Sequence, residues 1–494
     1  MRPRLRPLDG SFLRVETPNA HMHVGWCAVF EPHPARPRPD VQSLRESILS
    51  RLHLAPRFRQ RLGFPLPGFG EPFWIDDPGF DVSYHVTALA DESEPVTLDT
   101  FATLTNGAFS VPLDRKRPLW QVLLVPRLAD GRVGMVAKLH HAMVDGLAAV
   151  DLALVLFDSE PDTDTGESTE DWRPNPAPGR VELALESAAG ASGELLRMAR
   201  GAAGFALSPR RQAGKLAETL GRMAVVVRDD MLSPAPESTV NVPIGPQRAL
   251  VSHRADMGEI RRAKRRPRLA AGSYEQRITV NDVYLAAVAG ALRTLALRRG
   301  DPPQPLKVMV PVNLRDEDEH GGEGGNRIAF SFIELPVHVS TAEARLRRVN
   351  KATGAFKRSQ RPAGSHAMLT VLGMLPDPLK GVAARIAASP RSYNVTISNI
   401  PGPSEPLYML GARLEEAYPV VPISEEHALS VGVFGYRDHA HFGFYADPAA
   451  LPDVHDLPEA ISAEIRALAG PPRRRRVAPA QPEEGVAAEV TPLR

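Results

Sequence analysis

The chain has 494 residues, 43% of them hydrophobic and 24% charged, enough for a sizeable core and more than one ordinary core organises. Its 59 basic and 58 acidic residues leave a net charge of +1, so nothing global points to a nucleic-acid partner. The single cysteine, Cys27, excludes a disulfide framework within the chain and cysteine-based metal sites, and it fits a reducing, cytoplasmic compartment.

In chain order, the first eighteen residues carry charges and prolines without the apolar stretch of a secretory signal. Residues 23–30 read as a strand and 41–52 as a helix. Residues 121–126 and 133–140 read as a strand pair, with Asp130-Gly131 as the turn between them. A helix follows over 147–157, where Leu147, Val150, Leu154 and Phe157 share one face. Residues 158–179 are acidic and rich in Pro, Thr and Ser, which describes a loop or linker.

Residues 181–232 form a helical stretch carrying Arg197, Arg200, Arg210, Arg211, Lys215, Arg222 and Arg228. Such a stretch is either a basic amphipathic segment for an anionic membrane or a connecting helical hairpin with a solvated face. Four prolines (Pro234, Pro236, Pro243, Pro246) keep the next segment irregular. Residues 280–299 predict a helix that Gly300 stops. Strands are expected over 306–312, 327–337, 393–400, 428–436 and 441–445. The longest candidate membrane run, 283–292, is about half what a spanning helix needs. From Pro471 the composition is that of a disordered tail.

The resulting layout is α/β: a domain over 1–158, a loop and helical linker over 159–246, a second domain over 247–470 and a tail over 471–494. The crevice between two such domains is a common place for a ligand.

The sharpest local feature is Leu139-His140-His141-Ala142-Met143-Val144-Asp145-Gly146, placed where an apolar strand ends and a helix begins. Strand ends facing a crevice are where α/β proteins put reactive groups. Adjacent residues on extended backbone point to opposite sides, so one histidine faces the core and the other the cleft. An imidazole can take a proton from an alcohol or thiol at neutral pH and return it to a leaving group. Gly146 clears space for a substrate. Asp145 either orients the histidine or pairs with an arginine to hold the loop.

His21-x-His23 and His439-x-His441 each lack the further ligands that a metal needs, so no metal is expected. The glycines of 321–325 lack the lysine of a phosphate loop. The basic run Arg261, Arg262, Lys264, Arg265, Arg266 and Arg268 either meets the phosphates of a ligand or acidic lipid, or is a solvated loop.

His140-His141-x-x-x-Asp145-Gly146 resembles the active-site motif of the coenzyme A-dependent acyltransferase superfamily. Further segments resemble its wax ester synthase/diacylglycerol acyltransferase branch. They are Leu8-Asp9-Gly10-Ser11-Phe12-Leu13 with Glu16-Thr17-Pro18 and His21-Met22-His23-Val24-Gly25, then Pro112-Leu113-Asp114-Arg115 with Arg117-Pro118-Leu119-Trp120. Val280-Asn281-Asp282-Val283, Pro311-Val312-Asn313-Leu314-Arg315, Gly325-Asn326-Arg327 and Ser398-Asn399-Ile400-Pro401-Gly402-Pro403 continue the series. Two positions depart from the familiar pattern: Gln121 stands where an acidic residue is usual, and Gly10 where alanine is commoner.

The resemblance implies two chloramphenicol-acetyltransferase-like mixed-sheet domains with the active site in the interdomain cleft. It implies O-acylation of diacylglycerol, or of a fatty alcohol, with acyl-CoA as co-substrate and no bound cofactor. His141 would be the general base, with Asp145 and Gly146 architectural and His140 serving folding more than chemistry. Asn281 would donate to the oxyanion, or else cap its helix together with Asp282. Pro118-Leu119-Trp120 would shape the acyl pocket or simply pack. Peripheral contact with the inner membrane face or lipid droplets is the expected location. A carrier-dependent condensation-type enzyme and a non-catalytic lipid-surface protein of the same fold are the alternative readings.

Overall fold

The computed structural model describes residues 2–67, 70–143, 155–162, 172–190, 233–265, 276–313, 328–359 and 377–471, with isolated positions between them. Asp145, Gly146, most of the helix expected over 147–157, most of the basic stretch after residue 190, Arg266, Arg268, the 321–325 glycines and the tail from 472 lie outside the described residues.

The first half runs α1 (Pro7–Val15), β1 (His23–Glu31), α2 (Val41–Arg51), β2 (Gln60–Gly63), β3 (Phe73–Asp76), α3 (Val82–His85), β4 (Val86–Ala88), α4 (Leu98–Ser110), β5 (Trp120–Val125) and β6 (Val133–His140). The second half runs β7 (Ala249–Asp256), α5 (Met257–Arg265), α6 (Val280–Arg299), β8 (Leu306–Asn313), β9 (Ile328–Leu335), α7 (Ala342–Arg358), α8 (Asp377–Ala387), β10 (Val395–Pro401), β11 (Tyr408–Met409), β12 (Ala412–Val420), β13 (Leu429–Tyr436), β14 (His439–Ala446) and α9 (Leu457–Ala469). Within the described residues, the strands expected at β1, β5, β6, β8, β9, β10, β13 and β14 and the helices expected at α2 and α6 form where the sequence places them. The β5–β6 pair is antiparallel, and Gly131 supplies the positive φ, 89°, that its turn needs. Gly300 ends α6 in the left-handed conformation at φ 77°.

Two six-stranded sheets carry these elements, in the orders β11-β12-β1-β6-β5-β4 and β7-β14-β13-β10-β8-β9. The strands do not sort as 1–158 against 247–470. β11 and β12 leave the second half and extend the first sheet, with Gly25 opposite Val420 and Glu31 opposite Arg413. In the second sheet β10 runs parallel to β13 and β8, and the remaining pairs are antiparallel.

β12 is also where the sheets meet. A Cβ on Gly443 of β14 would stand 2.1 Å from the Pro419 carbonyl oxygen, so only glycine permits this approach. Beside it Glu416 of β12 accepts from Arg132, Arg254 and Tyr418 at 3.1, 3.2 and 2.7 Å, tying β12 to the β5–β6 turn and to β7 of the second sheet. Burial opposes ionisation of Glu416, but these donors outweigh it and its pKa falls.

α6 packs against α5, α7 and α9. It is long and apolar enough to cross a membrane by composition alone, but every residue from Asp282 to Leu292 is buried in the protein. Its entry is fixed by a capping box: Thr279 accepts from the Asp282 amide, and the Asp282 carboxylate accepts from the Thr279 amide. Asn350 and Thr353 of α7 complete that carboxylate's partners. Residues 180–190 are helical, and 233–246 have neither helix nor strand, as their prolines require.

Candidate active site

β6, buried at every position, delivers the two histidines to the junction of the halves. The strand ends at His140, and His141 already opens a single 3-10 turn, His141–Met143. The pair therefore straddles the end of the strand, and its two rings meet different partners, Glu16 for His140 and Phe12 for His141.

His140 is 1% exposed. Its Nδ1 accepts from the Ala142 amide at 3.0 Å, which places the ring proton on Nε2. That Nε2–H donates to Glu16 Oε2 at 3.2 Å, and Arg115 pairs with the same oxygen. Burial raises the Glu16 pKa, yet His140 and Arg115 outweigh it and hold the carboxyl below its usual range. His140 is thus fixed on both nitrogens.

His141 is held differently. Its amide donates to the Met22 carbonyl at 2.8 Å. Met22 adopts a positive φ of 50°, a costly conformation for a bulky residue and one that recurs at functional sites. The His141 ring stacks on Phe12 of α1, centroids 3.7 Å apart and planes 15° apart. Burial is the main cause that lowers its pKa to about 4, and His140 adds to it, while its own backbone carbonyl pulls the other way. That carbonyl does not complete a hydrogen bond, so Nδ1 is sealed without a partner. Nε2, by contrast, is not among the buried, unpartnered ring nitrogens.

The loop that follows α1 wraps this corner and ties it to the second half. Thr17 donates to Glu425 at 2.5 Å, and Arg248 donates to the Asn19 carbonyl. Beneath it lies a basic cluster. The Lys138 ammonium donates to the Ala108 and Val111 carbonyls at 2.8 and 3.0 Å, closing the C-terminal end of α4. His21 takes the Pro18 carbonyl at 2.8 Å, whereas both nitrogens of His23 are buried without partners. Burial pushes Lys138 down to about 8 and His23 well below the ordinary imidazole range.

α1 is itself held from the far side. Arg14 reaches both oxygens of Glu71 at 2.9 and 2.8 Å, and Lys380 of α8 reaches Oε1 at 3.1 Å. Glu71 is 6% exposed, and a Cβ on Gly10 would stand 2.4 Å from its Oε2. Glycine at position 10, the departure noted in the sequence, makes room for this carboxylate.

The other candidates fall as follows. Asn281 is not the cap of α6, since Thr279 and Asp282 hold that role; it sits half-buried in the first turn, with no hydrogen bond among the described residues. Leu119 and Trp120 are buried, and the Trp120 indole donates to the Phe58 carbonyl and stacks on His85, so the segment packs the core. Cys27 is sealed and its thiol pushed up to about 12, which makes it a poor nucleophile. Among the described residues no group of three or more His, Cys, Asp or Glu side chains is placed to hold a metal ion. Sequence reasoning gave no role to Phe12, Glu16, Glu71 or Arg115. Their only signal was membership of the family-like segments and, for Glu71, the unusual Gly10.

Solved structures share this architecture. A wax ester synthase/diacylglycerol acyltransferase from Marinobacter aquaeolei VT8 superposes at a TM-score of 0.63 with 24% identity, covering 94% of this chain and 98% of its own. The first condensation domain of the calcium-dependent antibiotic synthetase matches at 0.57 with 16% identity, covering 95% and 96%. At these identities the likeness speaks for the fold, which is that of the two-sheet acyltransferases of chloramphenicol-acetyltransferase type. The chain belongs to the wax ester synthase/diacylglycerol acyltransferase family. The family's catalytic domain matches residues 5–284 and its C-terminal domain residues 324–469. A probable diacylglycerol O-acyltransferase of Mycobacterium tuberculosis, tgs2, is 30% identical over 473 residues, covering 94% of this chain and 98% of the relative. A second from that organism, tgs1, is 30% identical over 489 residues, covering 96% and 97%.

Proposed function

We propose that this acyltransferase moves a long-chain acyl group from acyl-CoA to the free hydroxyl of diacylglycerol, giving triacylglycerol, with a fatty alcohol as second acceptor. The observation that carries the reading is His141: an imidazole at a strand end, stacked under Phe12, neutral down to a pKa of about 4 and sealed on Nδ1. Such a ring is a standing base at neutral pH.

His141 Nε2 takes the acceptor's hydroxyl proton as its oxygen attacks the thioester carbon. The carbonyl oxygen becomes an oxyanion, and Asn281, unbonded in the first turn of α6, is the proposed donor to it; the helix N-terminus favours negative charge there. The intermediate collapses, the C–S bond breaks, and the proton on His141 passes to the departing thiolate. Ester and CoA thiol are the products, without an acyl-enzyme. His140, fixed between the Ala142 amide and Glu16, holds the turn. Asp145 and Gly146 are proposed to shape the loop beyond it. Both acceptors partition into lipid, so the reaction is proposed to run at a lipid surface on the cytoplasmic side.

The test is CoA thiol release from palmitoyl-CoA with diolein or hexadecanol, for wild type and His141→Ala. Acceptor-dependent release that falls about two to four orders of magnitude in the variant is the expected result. A folded His141→Ala protein with near-full turnover would remove His141 from the chemistry.

A further inference from the structure

α8 is apolar on the side where a soluble helix is normally polar. Its inner side packs on α1: Gly381 is buried within reach of the Arg14 stem, and Lys380 bonds Glu71. Its outer side shows Leu379, Val382 and Ile386 at 52%, 47% and 56% exposure. Steps of three and four residues put these aliphatics in one stripe. A contiguous exposed stripe of this kind marks an interaction surface.

Two further features define its partner. Arg385 and Arg391 stand exposed in and just beyond α8, and neither forms an ion pair among the described residues. A second exposed pair, Val181 and Leu185, lies one turn apart on the helix of residues 180–190, at 63% and 67%. That helix buries Leu183 against Phe73, two residues from Glu71. Both apolar stripes therefore flank the same short stretch, residues 71–73. On α8, aliphatics with Arg385 and Arg391 beside them complement an anionic phospholipid surface, where apolar side chains enter the acyl boundary and arginines meet phosphates; Val181 and Leu185, beside the exposed Glu182, add apolar area only.

We infer that the outer face of α8, together with Val181 and Leu185, docks the enzyme on an anionic phospholipid surface. This rests on the acyltransferase reading, since it names the surface from which that site draws its acceptor. The contact leads directly to the site: α8 holds Glu71, Glu71 holds α1, and α1 carries the Phe12 ring that covers His141. The docking face is thus distinct from the basic stretch after residue 190 that the sequence first suggests.

The test is cosedimentation of the full chain, without substrate, with vesicles of phosphatidylcholine alone or mixed with phosphatidylglycerol. Wild type should bind the mixed vesicles, and Leu379→Ser/Val382→Ser/Ile386→Ser should bind at least about tenfold more weakly. Arg385→Glu/Arg391→Glu should lose the preference for phosphatidylglycerol and its salt sensitivity. Turnover of octanoyl-CoA with hexanol, a dissolved acceptor, should be unchanged in both variants and certifies their folding. Undiminished vesicle binding by the serine variant overturns the docking face, as does a wild type that binds neither vesicle. A wild-type dimer that the serine variant converts to monomer also overturns it, by assigning the stripe to a second copy. A wild type that binds vesicles but releases no CoA with any acceptor counts against the acyltransferase reading instead.

Discussion

Phe12 lies face to face with His141, the ring centroids 3.7 Å apart. The stack excludes water from one whole side of the proposed base, and exclusion of water is the main reason its pKa is low. Replacing Phe12 with alanine should let water in and move the His141 pKa back toward the ordinary value of about 6.5. The acid limb of kcat/KM should move upward with it, with roughly a tenfold loss of rate from the freed ring. Phe12→Leu should keep most of the seal. A Phe12→Ala enzyme with an unmoved acid limb would show that the stack does not tune the base.

In the proposed mechanism the base works when neutral. Activity is therefore present above the His141 pKa and lost as pH falls through it. With that pKa near 4, turnover should hold across the range where a free imidazole would already be protonated. A kcat/KM profile with its acid midpoint near 6.5 would contradict the sealed state of the ring. Stability at each pH should be followed in parallel, so that unfolding is not read as titration.

Glu16 is depressed by His140 and Arg115 against its own burial. A carboxyl lowered in the fold stabilises it above the unfolded value of about 4.3, and that gain disappears as pH falls through the folded value. Glu16→Gln weakens the charge-assisted hydrogen bonds from His140 and the part-exposed Arg115, and should therefore cost about 1–2 kcal/mol at neutral pH. The gap to wild type should close in acid. Urea unfolding midpoints at neutral and acid pH measure this; a gap that stays constant with pH would mean that the charge is not what matters.

Gly10 and Glu71 form a coupled pair. Gly10→Ala places a methyl against a carboxylate that Arg14 and Lys380 hold in place, which should cost about 1–3 kcal/mol. Glu71→Ala removes the obstacle but takes a carboxylate away from two half-buried cations, Arg14 and Lys380. The double variant should be more stable than the sum of the two losses by about 1 kcal/mol or more. Thermal unfolding of the four proteins closes the cycle, and strict additivity would show that the methyl and the carboxylate never compete.

The strands and α6 were readable because each is a local pattern: the apolar run of β6, the turn at Gly131, the stop at Gly300. The His140-His141 pair was readable for the same reason. The partners of that pair were not. Phe12 and Glu16 lie more than a hundred residues before it, and Arg115 and Glu71 reach the corner from separate loops. No periodicity links such positions, because only tertiary packing brings them together. The membership of β12 in the first sheet was hidden likewise, since its alternation fits either sheet. Asp282 does cap α6, as its sequence suggests, but its partner in the capping box is Thr279 and not Asn281; all three are good capping residues, and geometry alone chooses among them.

The pairing of Gly25 with Val420 also bears on how the molecule is made. β1 emerges from the ribosome early with one hydrogen-bonding edge unpaired, and its partner β12 arrives only after both halves have been synthesised. Until then that edge is a template for the wrong strand, in the same chain or another. The first half should not fold alone when expressed without the second, and a nascent chain stalled between the two should call on chaperones. Two fragments cut between the halves could still assemble if mixed while unfolded, since β12 would then act as a strand donated from one piece to the other.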